Sequence, residues 1–197
     1  MPILDKMRLW FSCATALMVF WLASAPVRAT SYLAVTFDDL VKQADVIFVG
    51  GVVDVRSFAL RTRSSTVIRT RVTFRVDYPV YGTTSIVEVF DFLGGEVDGI
   101  GMAVAGMPRF VVGDRRVVFA HRQGSINPIV GFTQGLLQVR RDATGVDRVL
   151  TLEGVPLTRT ESIGSAPTPA PLTLSASMRL ADFRDRVARA VAEAHKK

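Results

Sequence analysis

A glycine-rich segment between two strand-like segments constrains this chain more than any other feature. Residues 86–92 have the apolar composition of a β-strand, and residues 115–121 resume that pattern. The fifteen residues from 94 to 108 contain five glycines and one proline. Glycine permits positive φ angles and close backbone approach, so we expect a loop that folds over the end of a sheet. Its candidate binding residues are Gly94, Gly95, Gly99 and Gly101.

The first 29 residues have the pattern of a secretory signal peptide. A basic segment precedes the apolar run 9–22, and residues 27–29 form a small-residue cleavage site. The apolar run is shorter than the roughly twenty residues that span a bilayer, which favours cleavage over a retained anchor. We therefore expect an exported protein, periplasmic or secreted, with no stable membrane insertion after cleavage.

Cleavage at that site leaves 168 residues, enough for one domain of ordinary size. The single cysteine, Cys13, lies in the signal peptide, so disulfides, cysteine nucleophiles and thiolate metal sites are excluded from the mature chain. From Thr30 onward, 21 Lys and Arg stand against 17 Asp and Glu, a net charge of +4. This modest charge gives little support for a polyanion partner.

The predicted elements indicate an α+β fold dominated by antiparallel sheet. Residues 36–44 fit a short helix, and residues 56–65 fit a polar loop. Strands are predicted at residues 46–55, 70–76, 86–92, 115–121, 129–139 and 148–152. Pro79 and Gly82 are expected to end the second strand. Because no crossover helices separate the strands, we predict a small OB-like Greek-key barrel of five to six strands.

The domain boundaries follow from composition. The barrel domain is predicted to cover residues 30–153, followed by a proline-rich linker at 154–174. Residues 175–197 fit a C-terminal amphipathic helix, which we expect to pack on the barrel. Its apolar stripe consists of Leu180, Phe183, Val187, Ala190, Val191 and Ala194.

Three arginines form the one basic group of interest. Alternation along the second strand places Arg69, Arg71 and Arg75 on one face, at about 7 Å for each step of two residues. This row could bind an acidic protein surface or an envelope polyanion. It could equally be a solvated strand face whose charges prevent edge-to-edge aggregation. No aromatic residue is predicted on the same face, which disfavours nucleic acid.

Catalytic and metal-binding signatures are weak. Neither histidine is followed two to four residues later by a potential ligand, and there is no G-x-S-x-G or dinucleotide-binding fingerprint. Four acidic residues in or beside the loop could hold calcium, but their spacing matches no calcium loop and turn formation explains them as well. They are Asp91, Glu96, Asp98 and Asp114. We therefore expect no enzymatic activity, metal or cofactor.

Several segments carry a family resemblance. Residues 44–50 (ADVIFVG), 72–76 (VTFRV), 94–95 (GG) and 113–119 (GDRRVVF) look like those of an uncharacterised exported bacterial OB-like domain family. More remotely, the order of features is similar to the netrin-like OB barrels of tissue inhibitors of metalloproteinases. Those inhibitors place an N-terminal cysteine on the protease zinc, and the chain from Thr30 has no cysteine. Zinc-chelating inhibition is therefore not implied, and no functional residue transfers.

The sequence predicts an exported, non-enzymatic binding domain that acts through the glycine-rich loop, the basic strand face or both. An accessory or inhibitor protein for a secreted protease is the alternative, based on the netrin-like resemblance alone. A hydrolase without a recognisable motif is the third hypothesis.

Overall fold

The computed structural model describes residues 34–61, 65–123, 126–164 and 173–196. The predicted signal peptide and residues 165–172 of the predicted linker lie outside the described residues. Within these ranges there are two α-helices, α1 at Phe37–Gln43 and α2 at Leu180–Ala194, and short 3-10 helices at Thr160–Ser162 and Leu174–Ala176. Across the described ranges, neither helix is long and apolar enough to cross a membrane.

Six strands form one antiparallel sheet in the order β3-β2-β1-β6-β7-β8, and β4 and β5 form a separate hairpin. Their bounds are Val46–Arg61 (β1), Thr66–Tyr81 (β2), Val87–Leu93 (β3), Gly95–Val97 (β4), Ile100–Met102 (β5), Arg115–Ala120 (β6), Leu136–Arg141 (β7) and Asp147–Leu150 (β8). The predicted α+β class with a mainly antiparallel sheet is confirmed. Strand β6 returns after a long connection to pair with β1, so β6-β1-β2-β3 has Greek-key order.

The first hairpin is longer than predicted. Residues 56–61, expected in a polar loop, continue β1 and pair with the start of β2. Register shifts after Ile47, Val49 and Val52 lie in the part of β1 that was predicted as a strand. Residues 56–61, beyond these shifts, have no fully buried side chain to mark the strand. Pro79 does not end β2, which continues to Tyr81. Because the side chains of residues 56–61 are exposed or half-buried, composition alone predicted too early an end for β1.

The predicted strand at 129–139 is wrong in its first half. Residues 130–135 form turns, and β7 begins only at Leu136. The backbone reverses at Gly131 and Phe132, where φ is +62° and +69°. The apolar residues Ile129 and Val130 are buried there without belonging to a strand.

One face of the sheet is covered by both helices. Phe183 of α2 is fully buried, and its ring meets those of Phe37 and Phe119 edge-on at centroid distances of 6.1 and 6.5 Å. Leu157 and Ile163, from the segment predicted as a linker, belong to the same apolar cluster. Residues 154–164 are therefore part of the packed unit.

The opposite face carries a second apolar cluster, rich in phenylalanine. The rings of Phe48, Phe74 and Phe90 pack together, with Phe48 and Phe74 edge-on at 5.6 Å. Two residues from the segment after β5, Met107 and Phe110, pack against this cluster. This packing holds the segment that follows the glycine-rich hairpin over the sheet, and it positions the candidate site.

Candidate functional site

The base of the β4–β5 hairpin is fixed by two hydroxyl groups from the long first hairpin. The Thr70 hydroxyl donates a 2.7 Å hydrogen bond to the carbonyl of Gly94. Ser57 Oγ lies 3.1 Å from Thr70 Oγ1 and accepts a 3.4 Å bond from the backbone N–H of Glu96. Because Thr70 uses its proton on Gly94, Ser57 donates to Thr70. The two hydroxyls therefore hold the hairpin to the sheet.

Two of the predicted glycines are required by this close approach. Gly94 and Gly95 have φ angles of +100° and +134°. A Cβ at Gly95 would come within 2.4 Å of both Ser57 Oγ and Thr70 Oγ1, and one at Gly94 within 2.8 Å of the carbonyl oxygen of Met102. Only glycine lets the backbone pass here.

The other two predicted glycines lie farther out on the hairpin. At the turn, the φ angle of Asp98 is +54° and that of Gly99 is +76°. A Cβ at Gly99 or at Gly101 would meet nothing within 4 Å. The structure thus places all four glycines on one hairpin, two at its base and two toward its free end.

A cleft of about 710 Å³ lies between the hairpin, the segment that follows it and the sheet. Its apolar wall includes Val55, Phe92, Met102, Met107 and Phe110. Binding sites for small ligands and side chains typically have 300–1,000 Å³, so this cleft is large enough for one. The sequence pointed to the glycines but missed Met107 and Phe110. The signal available was a set of large apolar residues inside a glycine-rich loop.

Exposed aliphatic residues accompany the cleft. Val111 lines the cleft and is 67% exposed, and Ile100, next to the lining residue Gly101, is 69% exposed. The two charged lining residues are Glu96 and Arg109, of opposite sign. Large apolar side chains held in water beside a cleft are typical of a surface that contacts a partner.

The arginine row is partly neutralised by carboxylates. Arg71 binds Asp91 through two hydrogen bonds of 2.8 and 2.9 Å, and the bond from Arg71 lowers the pKa of Asp91. Arg75 lies 3.4 Å from Asp77. These pairs reduce the positive potential that a polyanion would meet.

An aromatic ring also belongs to this basic face. The Arg71 guanidinium lies 5.2 Å from the centroid of the Phe58 ring. The sequence missed Phe58 because residues 56–65 read as a loop, where alternation could not place it beside Arg71. Arg69, Arg71 and Arg75 lie on β2, and the structure brings none of them into the cleft lining.

The candidate calcium ligands do not converge. Asp91 is bound to Arg71, and Asp114 accepts a 2.6 Å bond from Arg116. Over the described ranges of the chain, no group of three His, Asp or Glu side chains is placed to hold a metal ion. His121 lies 3.8 Å from Asp45, and the His195 ring stacks on Tyr81 at 4.5 Å. Asp91, Asp114 and the two histidines therefore each contact a different neighbouring residue.

No protein-family model, curated protein or solved structure matches this chain. The function of the site is therefore inferred from its own geometry. That geometry is an apolar cleft beneath a hairpin fixed by Ser57 and Thr70.

Proposed function

We propose that this chain is an exported, non-enzymatic binding domain that holds an apolar segment of a protein partner in the cleft beneath the β4–β5 hairpin. The cleft itself is the observation that carries the proposal: its walls are apolar, and exposed Ile100 and Val111 accompany it. Burial of such side chains on binding contributes roughly 25 cal/mol for each Å² of apolar surface removed from water. Glu96 and Arg109 then orient the partner at the polar margin.

An OB-like barrel is the fold that we propose around this site. The Greek-key order β6-β1-β2-β3 supports it, as does the long curved pair β1–β2 with its register shifts. Barrels of this kind bind ligands on the face of their second and third strands and at the neighbouring loops. The cleft occupies a comparable place, because Thr70 of β2 and Phe92 of β3 both line it.

Export is part of the proposal and rests on the signal-peptide pattern of residues 1–29. The intact mass of the protein recovered from the producing cell tests it. We expect a mature chain that begins at Thr30. A chain that retains its N-terminus in the membrane fraction would contradict export.

The cleft can be tested by blocking its mouth. Gly101 lines the cleft, its φ is not in the left-handed region, and a Cβ there meets nothing within 4 Å, so Gly101→Trp adds a bulky ring without backbone strain. Titration with anilinonaphthalene sulfonate, an anionic dye whose fluorescence rises in apolar sites, reports occupancy. We expect saturable binding that Gly101→Trp weakens by about tenfold, which corresponds to roughly 1.4 kcal/mol.

Ala143→Trp is the matched control, because Ala143 is exposed in the β7–β8 turn and does not line the cleft. It adds the same ring elsewhere and should bind the probe as the unaltered protein does. Equal binding by both variants, or the absence of saturable binding in the unaltered protein, would reject the cleft as the site.

A further inference from the structure

The two edge strands of the large sheet differ in how they are protected. Strand β8 is covered by the chain that follows it, through bridges between Arg148 and Arg179 and between Leu150 and Pro156. Strand β3, at the other edge, pairs with β2 and with no second strand among the described residues. An edge strand without a cover exposes a row of backbone donors and acceptors that can pair with another strand.

The hydrogen-bond pattern identifies which groups of β3 are free. The N–H of Gly94 binds the carbonyl of Ile68, and the N–H of Val76 binds the carbonyl of Ile86. In an antiparallel pair the hydrogen-bonded positions alternate, so the even-numbered residues of β3 bond to β2. The odd-numbered residues then direct their N–H and C=O groups away from the sheet.

Three odd-numbered residues form this free row: Val87, Val89 and Asp91. At the next odd position, the outward N–H of Leu93 already binds the carbonyl of Ile126 at 3.0 Å. Of the residues that the structure describes, none bonds the outward backbone groups of the three. The free row is therefore short and is centred on Val89.

The side chains of this edge do not oppose pairing. Ile86, Val87 and Val89 are 81%, 42% and 47% exposed. Glu88 faces inward, is buried and contacts Arg122 at 3.4 Å. Natural edge strands are usually protected by a charge, a proline or a bulge. Residues 86–91 contain no proline or bulge, and both charges of this edge are already bound within the same copy, Glu88 to Arg122 and Asp91 to Arg71.

We propose that β3 pairs antiparallel with β3 of a second copy of this chain, with the two-fold axis at Val89. This register uses every free backbone group between Val87 and Asp91, because the row is symmetric about Val89. It places each Val87 opposite Asp91 of the other copy and on the same face as Arg75, two strands or roughly 10 Å away. Asp91 is already bound to Arg71 of its own copy, so this register places no unpaired charge at the strand pair.

Charge disfavours two of the other registers. An axis at Glu88 would place two Glu88 side chains directly opposite each other, and an axis at Asp91 would do the same with Asp91. Like charges opposed across a strand pair are destabilising. An axis at Phe90 would place Val87 opposite Leu93, whose outward N–H is already bound to Ile126. The register centred on Val89 is therefore the one that uses the whole free row, and a strand pair of this kind is isologous.

Cross-linking tests the register. In a Cys13→Ser background the chain has no cysteine, so a single cysteine can be introduced at will. With Val89→Cys, the two positions lie about 5.5 Å apart between Cα atoms, and a bis-maleimide with an ethylene spacer should give a covalent dimer. Ser85→Cys is the matched control, because its two copies lie roughly 27 Å apart in this register. Equal cross-linking of both variants would overturn the proposal.

Sedimentation equilibrium tests the interface independently. We expect the unaltered chain to approach the mass of a dimer as its concentration rises from roughly 5 to 500 µM, the range suited to a small interface. Val89→Lys should keep the monomer mass throughout, whereas Val89→Thr retains the β-branched shape and should still associate. A monomer at every concentration, or a dimer that Val89→Lys leaves unchanged, would overturn the proposal. The cleft-blocking variant Gly101→Trp should not alter association.

Discussion

Gly95 lies directly against Ser57, so that a Cβ on Gly95 would approach the Ser57 hydroxyl to 2.4 Å. This contact allows the β4–β5 hairpin to reach the sheet. The contact joins Gly95 of the glycine-rich loop to Ser57 of β1, which lies 38 positions earlier in the chain. The shape of the cleft depends on it, since both residues line the cleft.

We predict that Gly95→Ala lowers the free energy of unfolding by about 1–3 kcal/mol, because the φ of +134° and the clash with Ser57 act together. Denaturant unfolding measures this loss, and probe binding in the cleft should weaken with it. Gly101→Ala is the control, with open space around its Cβ, and should change stability by less than about 0.5 kcal/mol. Equal effects of the two substitutions would contradict the role of the close contact.

Asp147 gives a prediction for the pH dependence of stability. Its pKa is lowered first by the hydrogen bond from Arg141 and further by the one from Arg115. A carboxyl group with a lowered folded pKa stabilises the protein above its unfolded pKa of about 3.9, and this contribution is lost as pH falls through the folded value. Unfolding measured between pH 7 and pH 2 should therefore show a loss of stability below about pH 4.

Asp147→Asn should remove part of that pH dependence and lower stability at pH 7 by about 1–3 kcal/mol, since two arginines lose a charged partner. Asp185 is exposed on α2, so Asp185→Asn is the control and should leave the loss of stability at low pH unchanged. An Asp147→Asn variant with the same pH profile as the unaltered protein would show that Asp147 makes no net contribution.

The basic face gives a third prediction. Replacing Arg69, Arg71 and Arg75 by Gln should change stability by less than about 1 kcal/mol, because the Arg71–Asp91 pair is half-exposed and such pairs contribute little. Probe binding in the cleft should be unaffected. Affinity for heparin, measured against salt concentration, should be weak in the unaltered protein because of the carboxylate pairs. Tight binding that the triple variant abolishes would restore the polyanion hypothesis.

The parts of the fold governed by local chemistry could be predicted from the sequence. Thr36 caps α1 by accepting a 3.1 Å bond from the N–H of Asp39, and threonine is a preferred residue at that position. The turn at Asp142–Gly145 joins β7 and β8, with the Asp142 carboxylate accepting bonds from the backbone N–H groups of Thr144 and Val146. In both cases a few neighbouring residues determine the structure.

The parts that depend on distant contacts could not be predicted. The extension of β1 to Arg61 is stabilised by pairing with β2, and its exposed or half-buried side chains show no strand alternation. The glycines identified the hairpin, but the wall of the cleft needs Phe110 to reach the Phe74 and Phe92 rings, at 5.7 and 4.7 Å. No periodicity in the sequence encodes that contact.

The last prediction concerns α2, whose apolar stripe is unfavourable when exposed to water. A helix of 15 residues is marginal alone, and here Leu180, Phe183 and Val187 are buried against the sheet. Backbone bonds from Val149 to Met178 and from Met178 to Leu157 fix the segment that leads into the helix. Removal of the helix would expose the apolar cluster that it covers.

Phe183→Ala should therefore lower the free energy of unfolding by about 3–5 kcal/mol, the range for a fully buried aromatic side chain. Arg189→Ala, at an exposed position of the same helix, should change it by less than about 0.5 kcal/mol.

Truncation after Leu174 should lower the melting temperature markedly and cause aggregation, because the uncovered face is apolar. Calorimetry and light scattering measure both effects. A truncated chain as stable and as monodisperse as the full chain would show that the sheet does not depend on its helical cover.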